Sequence, residues 1–213
     1  MSLNNGEKWV QRAGAAWALI ASAAVYSGII SGSRREKGAA TEGTPAAAKL
    51  LMSGRPVVFA PITVLSLWVL RFLWRPVCPN LPDGLRRATL IAGSLLYFPG
   101  LALMVWGRIT MGKMHNVSSV AGVQLYADHK LVTTGPFGLV RHPMYVGGIM
   151  AEIGALLLYR TWTTVLIAVN APVLPARARR EEELLASHFG EEWREYSSRV
   201  AAWIPRMETK CEL

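Results

Sequence analysis

The sequence predicts an all-α integral membrane protein with about five transmembrane helices. Of its 213 residues, 52% are hydrophobic and 17% are charged, against about 25% charged residues in an average soluble domain. The apolar residues form uncharged blocks, which include residues 13–30 and 88–106. A block of about 18 or more apolar residues is long enough to cross a bilayer as a helix. Buried helices of a soluble protein would show polar faces at helical spacing, and these blocks lack them.

The positions of the blocks predict where the spans lie. The five predicted spans are residues 12–30, 57–74, 88–106, 144–159 and 162–176. The last two form a tight helical hairpin broken at residues 159–161, and each half is near the lower length limit for a span. Residues 177–199 are then predicted to form one charged amphipathic helix. Its buried stripe consists of Leu184, Leu185, Phe189 and Trp193.

The net charge of +9 comes from basic residues that flank the predicted spans, where they suit anionic lipid headgroups. With the carboxyl-terminal tail inside, 16 basic residues lie on the cytosolic side and 7 on the other. The positive-inside rule therefore places the tail, and both motif segments described below, in the cytosol. A bacterial inner membrane and the ER membrane are both compatible with this multi-pass topology. No nucleic-acid motif accompanies the charge, so we expect no nucleic-acid partner.

The remaining sequence signals, from the cysteines and from the two ends of the chain, are weak. Cys78 and Cys211 form no disulfide or metal-binding spacing and are predicted to be free thiols. The first apolar block is not expected to be a secretory signal, because further spans follow it. Residues 210–213 resemble an ER-retrieval signal, but such a signal is read in the lumen, and this tail is predicted to be cytosolic.

The most informative segment is residues 131–148, which combine Arg, His, Tyr, two Pro and four Gly immediately before an apolar block. His142 precedes a proline and is disfavoured inside a helix, whereas Pro143 suits the first turn of the next helix. That helix start offers N–H groups and a positive dipole end to an anion. Phe137 and Tyr145 add aromatic faces for a base or a cation. An interfacial helix start with a snorkelling arginine would explain the same residues without a ligand.

A second polar segment opens at Arg177, after the predicted hairpin. Arg177 and Glu181 are four residues apart, on one face of a helix. They form either a solvated ion pair of little energetic value or a site for a zwitterion, with Glu181 on the cationic group and Arg177 on the carboxylate. Glu152 lies inside the fourth span, where a carboxyl is a functional candidate or a protonated acid bonded within the bundle. The hairpin can bring the two segments together.

These residues resemble the signature of the isoprenylcysteine carboxyl methyltransferase family. The first part of the resemblance runs from His129 to Phe137 and from Arg141 to Gly147. The second part consists of Arg177, Glu181, Glu182, Leu185, Phe189, Gly190, Tyr196, Arg199, Val200 and Pro205. The match covers roughly residues 124–206, and two separated motifs in the right order make it specific. Phe137 and Trp193 depart from it, because the family often has tyrosine at both positions.

The resemblance implies a membrane methyltransferase that uses S-adenosylmethionine and releases S-adenosylhomocysteine, with the cofactor bound on a cytosolic loop and not in a Rossmann fold. It implies that Arg177 holds the carboxylate of a lipophilic, prenylcysteine-like acceptor that enters from the bilayer. The implied cofactor contacts are Gln124, His129, Lys130, Leu131, Val132, Phe137, His142, Pro143, Met144, Tyr145 and Glu181. We accordingly divide the chain into an acceptor- and lipid-facing part (1–110), a cofactor-binding and catalytic part (111–206) and a tail (207–213).

Methylation of a carboxylate requires no general base, because the acceptor is already ionised near pH 7. Alignment of the reacting groups and exclusion of water would suffice. Methylation of a small thiol or a phospholipid amine is an alternative; an amine would use Glu152 more than Arg177. A nicotinamide-dependent membrane reductase of the sterol type carries a similar Arg-His-x-x-Tyr turn and is a further alternative. A non-catalytic membrane scaffold has no positive signal in the sequence.

Overall fold

The computed structural model describes residues 3–32, 56–114, 125, 128–169 and 171–206. Over these residues the fold is helical, which confirms the all-α prediction. The α-helices are α1 (Leu3–Gly32), α2 (Pro56–Phe72), α3 (Asp83–Met111), α4 (Pro143–Tyr159), α5 (Trp162–Ala168), α6 (Val173–Phe189) and α7 (Glu191–Arg199). Short 3-10 helices cover Gly112–Met114 and Gly135–Gly138. Gln124, Cys211 and the predicted tail 207–213 lie outside the described residues.

Among the described residues, one helical stretch is long and apolar enough to cross a membrane. It runs from Asp83 to Met114 and contains the predicted span 88–106. The helix α4 is apolar over 17 residues and shorter than a full span. Helix α1 contains the predicted span 12–30, and α2 covers the predicted span 57–74 except for its last two residues. The number of spans and their orientation remain predictions.

The predicted hairpin breaks where expected but its second half differs. Helix α4 ends at Tyr159, Arg160 adopts a left-handed φ of 52°, and Thr161 caps α5 by accepting a hydrogen bond from the Thr164 amide. The prediction of one helix over 162–176 is wrong, because α5 ends at Ala168. Pro172 disfavours a helical conformation in the residue before it. A seven-residue helix rises only about 10 Å and cannot span a bilayer.

The predicted single helix over 177–199 is also wrong in its bounds. Helix α6 begins earlier, at Val173, and Gly190 separates it from α7. Gly190 has a φ of 53°, a left-handed conformation that glycine adopts without a Cβ clash and that commonly ends helices. Of the predicted buried stripe, Trp193 is buried and the other three residues are half-buried. After the break, α7 contacts the segment that precedes α4, through Phe137 and Arg141.

Helices α3 and α4 cross at close range through glycines spaced seven residues apart. These glycines are Gly93, Gly100 and Gly107 on α3 and Gly147 and Gly154 on α4. A Cβ added at Gly147 would lie 2.5 Å from the Gly100 carbonyl oxygen, and one added at Gly154 would lie 2.5 Å from the Tyr97 nitrogen. Small residues let helix backbones approach closely in membrane proteins. The crossing fixes α4, and therefore the turn at its start, against α3.

A buried ion-pair cluster holds the hairpin end of the bundle. Glu7 of α1 is 3% exposed and pairs with Arg86 of α3 and with Arg160. Arg160 also donates hydrogen bonds to the Thr89 hydroxyl (3.1 Å) and the Leu157 carbonyl (3.0 Å). Because a buried carboxylate needs partners for its charge, this cluster ties α1, α3 and the end of α4 together. It lies at the opposite end of α4 from the motif segments.

Candidate active site

The first motif segment forms a tight turn that packs on the carboxyl-terminal end of α3. Its 3-10 helix Gly135–Gly138 begins with Gly135 at a φ of 59°. A Cβ at this position would lie 2.9 Å from the Thr110 hydroxyl oxygen and 3.5 Å from the Trp106 ring nitrogen. Both the backbone conformation and the lack of space therefore call for glycine. The turn buries Pro136 and Phe137.

The start of α4 is bound to the chain that follows α7. His142 is the residue before the helix and Pro143 occupies its first position, as the sequence predicts. The Arg141 amide donates to the Ala201 carbonyl at 2.8 Å, and the His142 amide donates to the Ala202 carbonyl at 3.2 Å. These two hydrogen bonds fix the residues before α4 to the carboxyl-terminal segment.

Side chains of α6 meet the same turn, so the structure confirms that the two motif segments converge. The Tyr145 hydroxyl donates a hydrogen bond to the Glu181 carboxylate. The Arg177 guanidinium carbon lies 5.8 Å from the centre of the Tyr145 ring, within the range of a cation–π contact. Arg177 and Glu181 thus face α4 together, as their spacing of four residues predicts.

Glu182 binds the two residues that precede α4. One of its carboxylate oxygens, Oε1, lies 2.8 Å from His142 Nε2 and 2.9 Å from both Nε and Nη2 of Arg141. The hydrogen bond with His142 lowers the pKa of the Glu182 carboxyl, with Arg141 acting in the same direction and burial opposing both. The Arg141 Nη1 also donates to the Ser197 and Val200 carbonyls, both at 2.9 Å. Glu182 therefore holds the turn from α6.

Helix α7 closes this side of the site with two buried aromatic residues. The Tyr196 hydroxyl donates a 2.7 Å hydrogen bond to the Phe137 carbonyl. Burial raises the pKa of Tyr196 to about 12, so the hydroxyl keeps its proton at neutral pH. The Arg141 guanidinium carbon lies 5.8 Å from the centre of the Trp193 ring. These contacts connect α7 to the 3-10 turn and to the start of α4.

The converging elements enclose a cavity of about 330 Å³. It is lined by predicted site residues from both motif segments, namely His129, Leu131, Val132, Phe137, His142, Pro143, Met144, Tyr145, Arg177 and Glu181. Lys130 is exposed and lies outside the lining, so the geometry does not support it as a side-chain contact. Gln124 lies outside the described residues.

The cavity also contains residues that were not predicted as site residues. They are Val25, Met104, Met111, Arg141, Gly148, Glu152, Leu174, Leu185, Trp193 and Tyr196. From the sequence, Glu152 is a functional candidate inside the fourth span, and Arg141, Leu185 and Tyr196 belong to the family resemblance. The contributions of α1 and α3 had no local signal, because their apolar residues resemble any other membrane-facing side chains. Only the helix packing shows which of them face the cavity.

Comparisons with known proteins cover this part of the chain. A family model described as phospholipid methyltransferase matches residues 88–192. Protein-S-isoprenylcysteine O-methyltransferase of Saccharomyces cerevisiae is 32% identical over 117 residues, which cover 54% of this chain and 48% of the yeast protein. The protein of the same name from Tribolium castaneum is 28% identical over 158 residues, or 69% of this chain and 52% of the beetle protein. Cobalt-zinc-cadmium resistance protein CzcN of Cupriavidus metallidurans is 35% identical over 100 residues, or 46% and 44%.

The chain spans about half the length of each of these relatives. The segment matched by the family model runs from α3 into α7. It contains the glycine crossing, the turn before α4 and the face of α6 that meets this turn, and it supplies most of the residues that line the cavity. Motif, geometry and similarity therefore agree: over these residues the chain is similar to phospholipid methyltransferases and to protein-S-isoprenylcysteine O-methyltransferases.

Proposed function

We propose that this protein is an S-adenosylmethionine-dependent membrane methyltransferase that methylates the carboxylate of a lipophilic, prenylcysteine-like acceptor. The observation that carries the proposal is that both family motifs line one cavity, with Arg177 and Glu181 of α6 against Tyr145 of α4. A cation for a carboxylate and an anion for an ammonium group stand one helical turn apart there. This is the arrangement that two differently charged ligand groups require.

The side chains that line the cavity suit the chemistry of the proposed cofactor. The cavity volume of about 330 Å³ lies at the lower end of the range for small-molecule sites. S-adenosylmethionine, when bound, supplies a methyl group on a positively charged sulfur. The Glu181 carboxylate can accept hydrogen bonds from an ammonium group, and the faces of Tyr145 and Phe137 attract a cation. The remaining cavity-lining residues of the predicted contact set would complete the wall, and Gln124 and Lys130 stay unassigned.

Arg177 is proposed to bind and orient the acceptor. A guanidinium presents paired N–H groups that match the two oxygens of a carboxylate. The carboxylate is ionised near pH 7, so no residue has to remove a proton from it. What the chain contributes is position, and water is kept out by apolar residues of the wall such as Met144 and Leu174.

The lipophilic part of the acceptor is proposed to enter between the helices. Residues of three helices, Val25 of α1, Met104 of α3 and Leu174 of α6, give the cavity apolar walls. An apolar tail lying among them would leave its carboxylate at Arg177. In this proposal residues 1–110 face lipid and acceptor, residues 111–206 bind the cofactor, and the site opens to the cytosol, where the positive-inside rule places the tail.

Transfer of a labelled methyl group tests the proposal. The purified protein in lipid is given labelled S-adenosylmethionine and an S-farnesylated cysteine derivative with a free carboxylate. We expect Arg177→Ala to lower kcat/KM for this acceptor by about 10- to 100-fold while S-adenosylhomocysteine still binds, because a charged hydrogen-bond partner is lost. We expect Glu181→Ala to weaken S-adenosylhomocysteine binding by a similar factor.

Two exposed residues of the same helix supply matched controls, Arg179→Ala and Glu183→Ala. Both should behave like the parent protein. Unchanged rates and binding in Arg177→Ala and Glu181→Ala together would reject the assigned roles. Methyl label found on a thiol or on a phospholipid amine would replace the proposed acceptor with one of the alternatives. Binding of a nicotinamide nucleotide in place of S-adenosylhomocysteine would indicate a reductase.

A further inference from the structure

Glu152 is a carboxyl group on the wall of the cavity that the methylation mechanism above does not use. It is the single acidic or basic residue in the 17 residues of α4. It lines the cavity together with Tyr145 and Gly148, at spacings of three and four residues that place all three on one helix face. Its Oε2 atom is buried and has no hydrogen-bond partner among the described residues. A buried polar atom without a partner costs free energy, which suggests that a ligand completes it.

The contacts between α4 and α6 show where Glu152 stands relative to the other charged groups. Glu181 and Arg177 contact Tyr145, whereas Leu174 lies 3.7 Å from the Cβ position of Gly148. Higher residue numbers on α6 therefore meet lower numbers on α4, so the two helices run in opposite directions along the cavity. Glu152 comes one helical turn after Gly148, on the side away from Glu181. Along the wall the order is Glu181, Arg177 and then Glu152.

Side-chain direction brings the Glu152 carboxyl back toward Arg177. Side chains in a helix lean toward its amino terminus and cover the preceding turn. For Glu152 the preceding turn carries Gly148, which has no side chain to fill the space. The Cα positions of Tyr145 and Glu152 are about 10 Å apart along the helix axis. A ligand whose carboxylate lies at Arg177 can therefore present a second polar group to Glu152.

We propose that Glu152 determines acceptor specificity by accepting a hydrogen bond from an amide N–H of the acceptor. The preferred acceptor would then be an N-acylated, S-alkylated amino acid: its carboxylate meets Arg177, its amide nitrogen meets Glu152 and its alkyl chain lies among the helices. This inference rests on the proposed function and narrows its acceptor class. Glu152 is not assigned to the methyl transfer, because Arg177 stands between it and the Glu181 end of the cavity.

Paired acceptors test the inference directly. N-acetyl-S-farnesylcysteine carries the amide N–H, and S-farnesyl-3-mercaptopropionic acid is the matched carboxylic acid without nitrogen. We expect the parent protein to favour the first over the second by about 10- to 100-fold in kcat/KM, since a site built around a hydrogen bond rejects a ligand that lacks it. Glu152→Leu should bring this ratio near one, mainly because kcat/KM for the amide acceptor falls. Glu152→Gln keeps an oxygen acceptor and should retain most of the preference.

The controls separate recognition from folding and from the chemistry. S-adenosylhomocysteine affinity should be the same in the parent and in both Glu152 variants, and Ile153→Ala, at an exposed position of the same helix, should leave the acceptor ratio unchanged. If both acceptors are methylated but Glu152→Leu leaves their ratio as in the parent, the inference is overturned while the proposed function stands. If S-adenosylhomocysteine binds but neither acid is methylated, or the label appears on nitrogen, the carboxylate acceptor and the inference fall together.

Discussion

Replacing Glu182 by alanine tests whether the turn before α4 is held from α6. The substitution removes the oxygen that lies 2.8 Å from His142 Nε2 and 2.9 Å from two nitrogens of Arg141. The His142 side chain is 5% exposed and that of Arg141 15%, so water replaces the lost partner poorly. Arg141 keeps its two carbonyl acceptors, at Ser197 and Val200. The cost therefore falls mainly on His142.

The magnitude follows from these contacts. A hydrogen bond to a charged group contributes about 1.5–3 kcal/mol, and the Glu182 side chain is 26% exposed, which reduces the value through solvent screening. We expect a loss of about 2 kcal/mol in the free energy that holds the turn, or roughly 30-fold in its equilibrium. Because residues of the turn line the cavity, the S-adenosylhomocysteine affinity expected from the proposed function should fall by up to that factor.

Calorimetric titration with S-adenosylhomocysteine and thermal unfolding in detergent measure the effect. Glu183→Ala is the control, because this neighbouring carboxylate is exposed on the same helix. Glu182→Gln keeps an oxygen acceptor but loses the charge, and should lie between Glu182→Ala and the parent. If Glu182→Ala matched Glu183→Ala within about twofold in affinity, the range expected of a surface substitution, the turn would not depend on Glu182.

Two further predictions concern acid stability and helix packing. Because the pKa of Glu182 is lowered from its usual 4.5 in the folded protein, its stabilisation is complete above pH 4.5 and is lost as pH falls through the lower folded value. The difference in Tm between the parent and Glu182→Gln should thus stay constant down to about pH 4.5 and shrink below it; a difference that grew on acidification would contradict this assignment. Gly147→Ala places a Cβ 2.5 Å from the Gly100 carbonyl oxygen and should destabilise the protein by about 1–3 kcal/mol, seen as a lower Tm. Gly84→Ala, with no atom within 4 Å of its Cβ, should be neutral or slightly stabilising, and equal Tm values for the two variants would refute the close crossing.

The sequence alone predicted the features that depend on short-range patterns. Uncharged blocks predicted the helices, and the break after Tyr159 was placed correctly, because chain composition and turn residues act locally. Pro143 was predicted at the first position of α4, where its missing N–H costs nothing. The spacing of Arg177 and Glu181 put both side chains on one helix face. Local errors arose near Pro172, which disfavours a helical conformation in the residue before it, and at Gly190, whose left-handed conformation ends α6.

Contacts between distant segments were decided only by the tertiary structure. That Glu182 and not Glu181 binds His142, that α7 turns back onto Phe137, and that Glu152 lies beyond Arg177 in one cavity all depend on how α4 crosses α3 and α6. The glycines that permit the close crossing of α3 and α4 are visible in the sequence. Which helix surface they contact is not. Helix periodicity assigns a side chain to a face of its own helix, whereas the packing of helices determines what that face meets.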